Sequence, residues 1–201
     1  MISANRRKPA RRKAGAETRA GESDWIRAGL SLLGRAGIEA VRVEPLAEKL
    51  GVTKGSFYWH FKDRDALHAA MLEAWRVDTT QNAIERVETE SVSKADRLTR
   101  LIGLAANNAW IARLEIAIRA WAKTDERAAR AVAQIDRQRM DYIASLLRDR
   151  GIEARTARLR ARLLYLAMIG GYFTEGGKDG VRDGPLWEEA ERLIVAGPGK
   201  T

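Results

Sequence analysis

The chain has 201 residues, 36 Lys and Arg against 27 Asp and Glu, a formal net charge of +9, two histidines and no cysteine. Disulfides, thiol catalysis and cysteine metal sites are thereby excluded, and no stretch is long and apolar enough to span a membrane. The charge is uneven: residues 1–20 hold Arg6, Arg7, Lys8, Arg11, Arg12, Lys13 and Arg19 against Glu17, a net +6 that leaves only +3 for the rest. So apolar-poor an arm cannot order itself by burial and is expected to be disordered alone. It either lies along phosphates or in a minor groove of bound DNA, or is a solubilising tail or start-site extension. Its Arg-Arg pairs do not form an export signal, because no apolar stretch follows them before Trp25.

The segment Pro45-Leu46-Ala47-Glu48-Lys49-Leu50-Gly51 has the apolar spacing of a short helix closed by a glycine. The run from Val52 to Leu67 then packs two helix starts into sixteen residues. Thr53 is placed to cap the first, whose opening turn, Lys54-Gly55-Ser56, presents free backbone N–H groups and lets the backbone approach a phosphate or base edge. At ~100° per residue Lys54 and Tyr58 share one face, Gly55 and Trp59 the adjoining strip, and Phe57 points back toward Leu46 and Leu50. Exposed aromatic rings beside lysine suit a sugar-phosphate wall, which His60, Lys62 and Arg64 extend. Helix, tight turn, helix is a DNA-binding layout. Asp63 is placed to cap the next helix, with Leu67, Met71, Leu72 and Trp75 at helical spacing.

The string Gly51-Val52-Thr53-Lys54-Gly55-Ser56-Phe57-Tyr58-Trp59-His60-Phe61 closely resembles the DNA-binding signature of the TetR family of bacterial transcriptional regulators. The resemblance covers about residues 19–79, with the motif at about 42–61, and includes a preceding helix carrying Trp25, Ile26, Gly29, Leu32, Leu33 and Ala36 before a terminating Gly37. It implies that Lys54, Gly55, Ser56 and Trp59 lie at or near base edges, and that Thr53, Tyr58, His60 and Arg64 hold phosphates, with Lys62 a weaker carry-over. One departure matters. Many relatives open the second helix with threonine or serine where this chain has Arg42, which cannot accept a capping hydrogen bond. Arg42 is then free to grip a phosphate, with the helix start supported by Glu44 and Pro45.

His60 and His68 stand two helical turns apart, too far to share a metal easily, so phosphate contact or surface placement is the expectation for both and no metal site is expected. Gly170-Gly171 and Gly176-Gly177 lack the strand and lysine context of a phosphate loop. From about residue 63 the pattern is helical alone. One helix runs from Asp63 through Trp75 toward Val87, and Ser91-Val92-Ser93 breaks it. Leu98, Leu101 and Ile102 start another, which stops near Asn107-Asn108. Trp110, Ile111, Leu114, Ile118 and Trp121 form the next stripe. Thr124-Asp125 then caps a long helix with Val132, Ile135, Tyr142, Ile143, Leu146 and Leu147, ended by Gly151. A further helix holds Leu159, Leu163, Leu166, Ala167 and Gly170, and a short last one Leu186, Trp187, Ala190, Leu193 and Ile194.

The expected fold is all-α with about nine helices: a basic arm at 1–20, a three-helix helix-turn-helix DNA-binding domain at 21–66, and a helical effector-binding and dimerisation domain at 67–201. A single helix-turn-helix reads a short half-site, so specificity calls for a homodimer with recognition helices ~34 to 36 Å apart on a palindromic double-stranded operator. The resemblance implies an interface built from about residues 155–175 and 185–196. Leu163, Ala167, Gly170, Gly171, Leu186, Trp187, Leu193 and Ile194 are its candidates, a purely intramolecular core being the alternative. It also implies a small-molecule effector, of a kind the sequence does not reveal, whose binding releases DNA. Candidate pocket residues are Trp75, Asn107, Trp110, Trp121, Tyr142, Tyr165, Met168 and Tyr172, any of which can equally be core. The function expected is therefore a cytoplasmic ligand-responsive repressor with no cofactor and no membrane partner. It is not expected to be an enzyme, since an active site would need carboxylates or lysines in a pocket not evident here. The alternative is a non-specific or architectural DNA-binding protein without an effector, which would show little operator preference.

Overall fold

The computed structural model describes residues 20–94, 96–106, 108–174, 189–190 and 192–194. The basic arm up to Arg19, and Asn107, Leu186 and Trp187 among the candidate site residues, lie outside these. Helix α1 spans Glu22–Ala36; Asp24 accepts the Gly21 N–H at 2.8 Å, and Gly37 stops the helix at φ 78°. A 3-10 turn, Ile38–Ala40, leads to α2, Val43–Leu50. Arg42 stands at the start of α2 in extended backbone with no capping bond from its side chain, as its chemistry requires. Gly51 then takes the left-handed conformation, φ 67°, that lets the chain reverse into α3, Lys54–Tyr58.

Helix α4, Arg64–Arg76, starts where expected because Asp63 accepts the Ala66 N–H at 2.8 Å. The single helix predicted from here to Val87 is interrupted by a π-helical turn, Val77–Gln81, before α5, Asn82–Glu90. The rest follows local caps: α6 is Asp96–Ala106, and α7, Ala109–Trp121, opens where Asn108 accepts the Ile111 N–H at 3.1 Å. Asp125 accepts the Arg127 and Ala128 N–H groups at 2.8 and 3.3 Å to start α8, Glu126–Asp149, which Gly151 ends at φ 85°. Helix α9 is Ala154–Thr174. Nine α-helices and no strand occur among the described residues, as predicted in number. The composition of the nine differs: the π turn divides one predicted helix into α4 and α5, and the predicted last helix falls mostly outside the described residues.

Two apolar clusters hold the chain together. The first joins Trp25 and Leu33 of α1, Leu46, Phe57, Phe61, Leu67, Met71 and Trp75 to Leu114, Ile118 and Trp121 of α7 and Ile135 of α8. Each fully buried large side chain contributes ~1.5 to 3 kcal/mol of transfer free energy. The core of the helix-turn-helix is therefore continuous with the body, and α4 serves both. Close approach of α1 and α4 depends on Gly29: a Cβ there would stand 2.7 Å from Met71 Sδ. The second cluster packs Leu98, Ile143, Leu146 and Leu147 against Ala157, Ala161, Leu164, Tyr165 and Tyr172 of α9. No single described helix is long and apolar enough to cross a membrane.

Candidate nucleic-acid interface and effector cavity

The recognition surface is built around one anchor. Phe57 is fully buried, edge-on to Trp25 with centroids 5.2 Å apart and stacked on Phe61 at 5.4 Å. With that ring fixed, the helical period turns Lys54, Tyr58 and Trp59 outward, and Tyr58 and Trp59 are 63% and 87% exposed. Arg42, Thr53, Gly55, His60, Lys62 and Arg64 are exposed as well, and Ser56 is half-buried.

Three details were not legible beforehand. Thr53 stands at the start of α3 but its hydroxyl makes no capping bond; its backbone carbonyl takes the Ser56 N–H at 3.0 Å, and the side chain faces outward. Lys54 Nζ donates to Glu44 Oε1 at 2.6 Å, an exposed pair in which the lysine holds the Glu44 carboxyl below its usual range. Such pairs contribute little to folding, so the lysine is available to a DNA acceptor. His60 Nε2 lies 2.9 Å from the Ala20 carbonyl oxygen, the geometry of a donated ring N–H, which ties the end of the recognition segment to the residue just before α1. Replacing Lys54 with alanine or Tyr58 with phenylalanine should weaken operator binding without lowering stability, since neither side chain is buried. Loss of a base contact should relax preference at one position by ~1 to 3 kcal/mol, while loss of a phosphate contact weakens all sequences alike. Gel-shift titration of a base-substituted operator set distinguishes the two.

His68 departs from expectation. It is buried, edge-on to Trp121 at 5.1 Å, because Trp121 of α7 packs over that face of α4, so it reaches neither phosphate nor solvent. Burial lowers its pKa, with Arg64 adding to the effect, Asp65 opposing it, and Arg127 and Asp125 acting more weakly in the same two senses. Above the ordinary histidine value, ~6.5, it is neutral folded or unfolded; below that the unfolded chain takes the proton first and stability falls. Urea unfolding at about pH 7.5 and about pH 5.5 should therefore show an acid sensitivity that is reduced in His68→Leu.

A cavity of about 550 Å³ opens in the body beside the π turn. Thr79, Thr80 and Arg139 form its polar wall, Ile84, Leu101, Leu104, Ile111 and Ile143 its apolar walls, and Asp78, Asn82 and Arg86 also line it. Of the candidate pocket residues, Tyr142, Met168 and Tyr172 line it. Trp75 and Trp121 instead belong to the core, Trp110 is 45% exposed, and Tyr165 is taken up by a buried polar network.

That network is the part sequence reasoning missed. Arg139 donates to Glu115 Oε1 at 2.6 Å, to Thr79 Oγ1 at 2.8 Å and to Thr80 Oγ1 at 2.9 Å, with its guanidinium 5.6 Å over the Trp75 ring. Trp75 Nε1 also donates to Glu115 Oε1, at 3.2 Å. Arg119 forms two bonds to Asp136, at 3.1 and 2.6 Å, and a third to the Tyr165 hydroxyl, whose own proton goes to Asp136 at 2.6 Å. Arg119 Nε lies 3.4 Å from Glu115 Oε2, so two cations and two carboxylates form one neutral cluster. Burial by itself lowers the Arg139 pKa, but the adjacent Glu115, helped by Tyr165, outweighs it and holds the guanidinium above its ordinary value. The available signal was Glu115 itself, a charged residue four after Ile111 and three before Ile118, hence on the apolar face of α7.

A short helix carrying outward lysine and aromatic side chains, set on a buried ring and joined through one core to a hollow helical body, defines a helix-turn-helix protein with a helical second domain. Residues 26–71 match the model of the bacterial regulatory proteins of the tetR family. The tetracycline repressor protein class A from transposon 1721 of Escherichia coli is 35% identical over 65 residues, covering 32% of this chain and 30% of that relative. The chain thus spans under a third of that relative's length in the match. The whole fold resembles the transcriptional regulator FadR from Bacillus subtilis in complex with stearoyl-CoA, with TM-score 0.66 and 14% identity over 89% of this chain and 100% of that one. It also resembles a transcriptional regulator from Saccharomonospora viridis in complex with choline, with TM-score 0.68 and 15% identity over 86% and 92% of the two chains.

Proposed function

We propose that the protein is a ligand-responsive transcriptional repressor of the cytoplasm, one that binds a palindromic operator as a homodimer and is released by a small molecule. The observation that carries this reading is the shared helix: α4 starts at Asp63, just beyond the recognition segment, and runs straight into the π turn whose Thr79 and Thr80 line the cavity. A ligand that alters the π turn therefore acts on the element that positions the recognition helix. A coupling of ~1 to 3 kcal/mol would change operator affinity ~5- to 150-fold. The ligand complexes of the two structural relatives support an effector role for such a body.

Dimerisation through α9 is supported by its solvent-facing stripe. Leu159, Leu163, Leu166 and Phe173 are exposed at spacings of one and two helical turns, and the exposed Ala167 and Gly170 between them leave room for a second helix. Gly171 is half-buried. Beyond α9, Leu193 is exposed, but Ile194 packs on the second cluster and its carbonyl accepts Arg160 Nη1 at 2.7 Å, so that residue serves the subunit's own core. Fluorescence anisotropy with random-sequence and selected duplexes tests the reading. A repressor discriminates between them by orders of magnitude, whereas a non-specific binder loses affinity for both in parallel as salt rises.

A further inference from the structure

We propose that the cavity takes an organic anion, a carboxylate on an apolar body, and that the anion acts by drawing Arg139 away from Thr79 and Thr80. This rests on the ligand-responsive reading and names its ligand class. Arg139 is the cation of the polar wall, and its fork is shared between one strong acceptor, the Glu115 carboxylate, and two weak ones, the threonine hydroxyls. A carboxylate adds to the hydrogen bond a charge–charge attraction and a bidentate fit that a hydroxyl cannot supply. A carboxylate entering the cavity thus competes with the hydroxyls and leaves the Glu115 bond in place. Asp78 and Arg86 line the cavity as well, with Arg86 Nε 3.3 Å from Glu90 Oε1. A cationic ligand seated at Thr79 and Thr80 would have to bring its charge against Arg139, which is unfavourable at short range, and Asp78 is the one carboxylate in the lining.

The consequence falls on the π turn. Thr79 Oγ1 donates to the Trp75 carbonyl at 2.6 Å while accepting from Arg139, and Thr80 Oγ1 accepts from the same guanidinium, so Arg139 clamps two successive residues of the irregular turn. Single π turns inside α-helices occur frequently at functional sites. With the clamp transferred to a ligand, the turn loses its outside support and α4 is free to reorient against α5.

Calorimetric titration of the full-length protein with matched head groups tests this: octanoate, octanol and octylamine, and 4-phenylbutyrate, 4-phenylbutanol and 4-phenylbutylamine. The carboxylates should bind at least about tenfold tighter than the alcohols, and the amines weakest. Thr80→Val removes a competitor for Arg139 and keeps the side-chain shape, so it should tighten carboxylate binding about fivefold and leave the alcohols unchanged. Arg139→Met should abolish the preference for acids; because that variant leaves the buried Glu115 with only Trp75 Nε1 and the longer contact to Arg119, Arg139→Met with Glu115→Gln is measured beside it. Alcohols binding as well as acids, amines binding best, or an acid-to-alcohol ratio unmoved by Thr80→Val would overturn the proposal. Operator release is scored with the same compounds. Release by alcohols or amines without an acid preference leaves ligand response standing and removes the anion, whereas acid-selective binding without release leaves the anion site and removes the regulatory reading.

Discussion

Replacing Leu163 and Leu166 by aspartate should yield a folded monomer that has lost operator binding by a factor of about a hundred or more. Both leucines face solvent in the single subunit, at 63% and 54% exposure, so the substitutions remove little intramolecular packing. In a dimer the same positions are the centre of an apolar strip on α9, and two carboxylates per subunit would have to be desolvated against a copy of themselves. Two half-sites held by linked subunits gain ~10² to 10⁴ over one alone, and that is the factor lost on separation. Light scattering reports the mass, circular dichroism the retained helix, and anisotropy the operator affinity. An intact dimer with normal affinity would move the interface off α9. Leu193→Asp alone should have a smaller effect, because Leu193 lies outside the α9 strip.

Glu115→Ala is expected to be the most destabilising single change in the body, by ~3 to 5 kcal/mol. The carboxylate is buried and is the one acid that meets both Arg139 and Arg119, as well as Trp75 Nε1. Its removal leaves Arg139 in the core with only hydroxyl and carbonyl partners. For a domain of this size, 1 kcal/mol shifts the melting temperature by ~2 to 4 °C, so a loss of roughly 10 °C is expected in a thermal scan. Glu115→Gln keeps an acceptor at the same place and should fall between the two. A melting temperature unchanged in the alanine variant would mean that the four charged groups are not coupled in the folded protein.

The parts of the fold that could be read beforehand are those set by neighbours in sequence. Asp63 and Asp125 begin helices because a side-chain acceptor three residues ahead of a free N–H is a local matter, and Gly51 and Gly151 end helices because the backbone needs positive φ there. The outward-facing side chains of α3 were legible for the same reason: once Phe57 is taken as core, the helical period alone turns Lys54, Tyr58 and Trp59 outward. What sequence could not supply is partnership between distant helices. His68 looks like a surface group until Trp121 covers it. Trp75 and Trp121 have the size and spacing of pocket residues but fill the core, while the cavity's polar wall falls to Thr79, Thr80 and Arg139, which no periodicity marks. The π turn was missed because no proline or glycine signals it; threonine hydroxyls and a guanidinium from α8 support it instead.

The central claim is that two copies of this chain read one symmetric operator through α3. Footprinting of genomic DNA with the purified full-length protein tests it most directly. The account predicts a protected palindrome whose half-site centres lie one turn of the double helix or a simple multiple apart, ~34 to 36 Å per turn, and whose protection is lost in Trp59→Ala. Protection spread without symmetry, or a palindrome protected equally by Trp59→Ala and by Lys54→Ala, would contradict it.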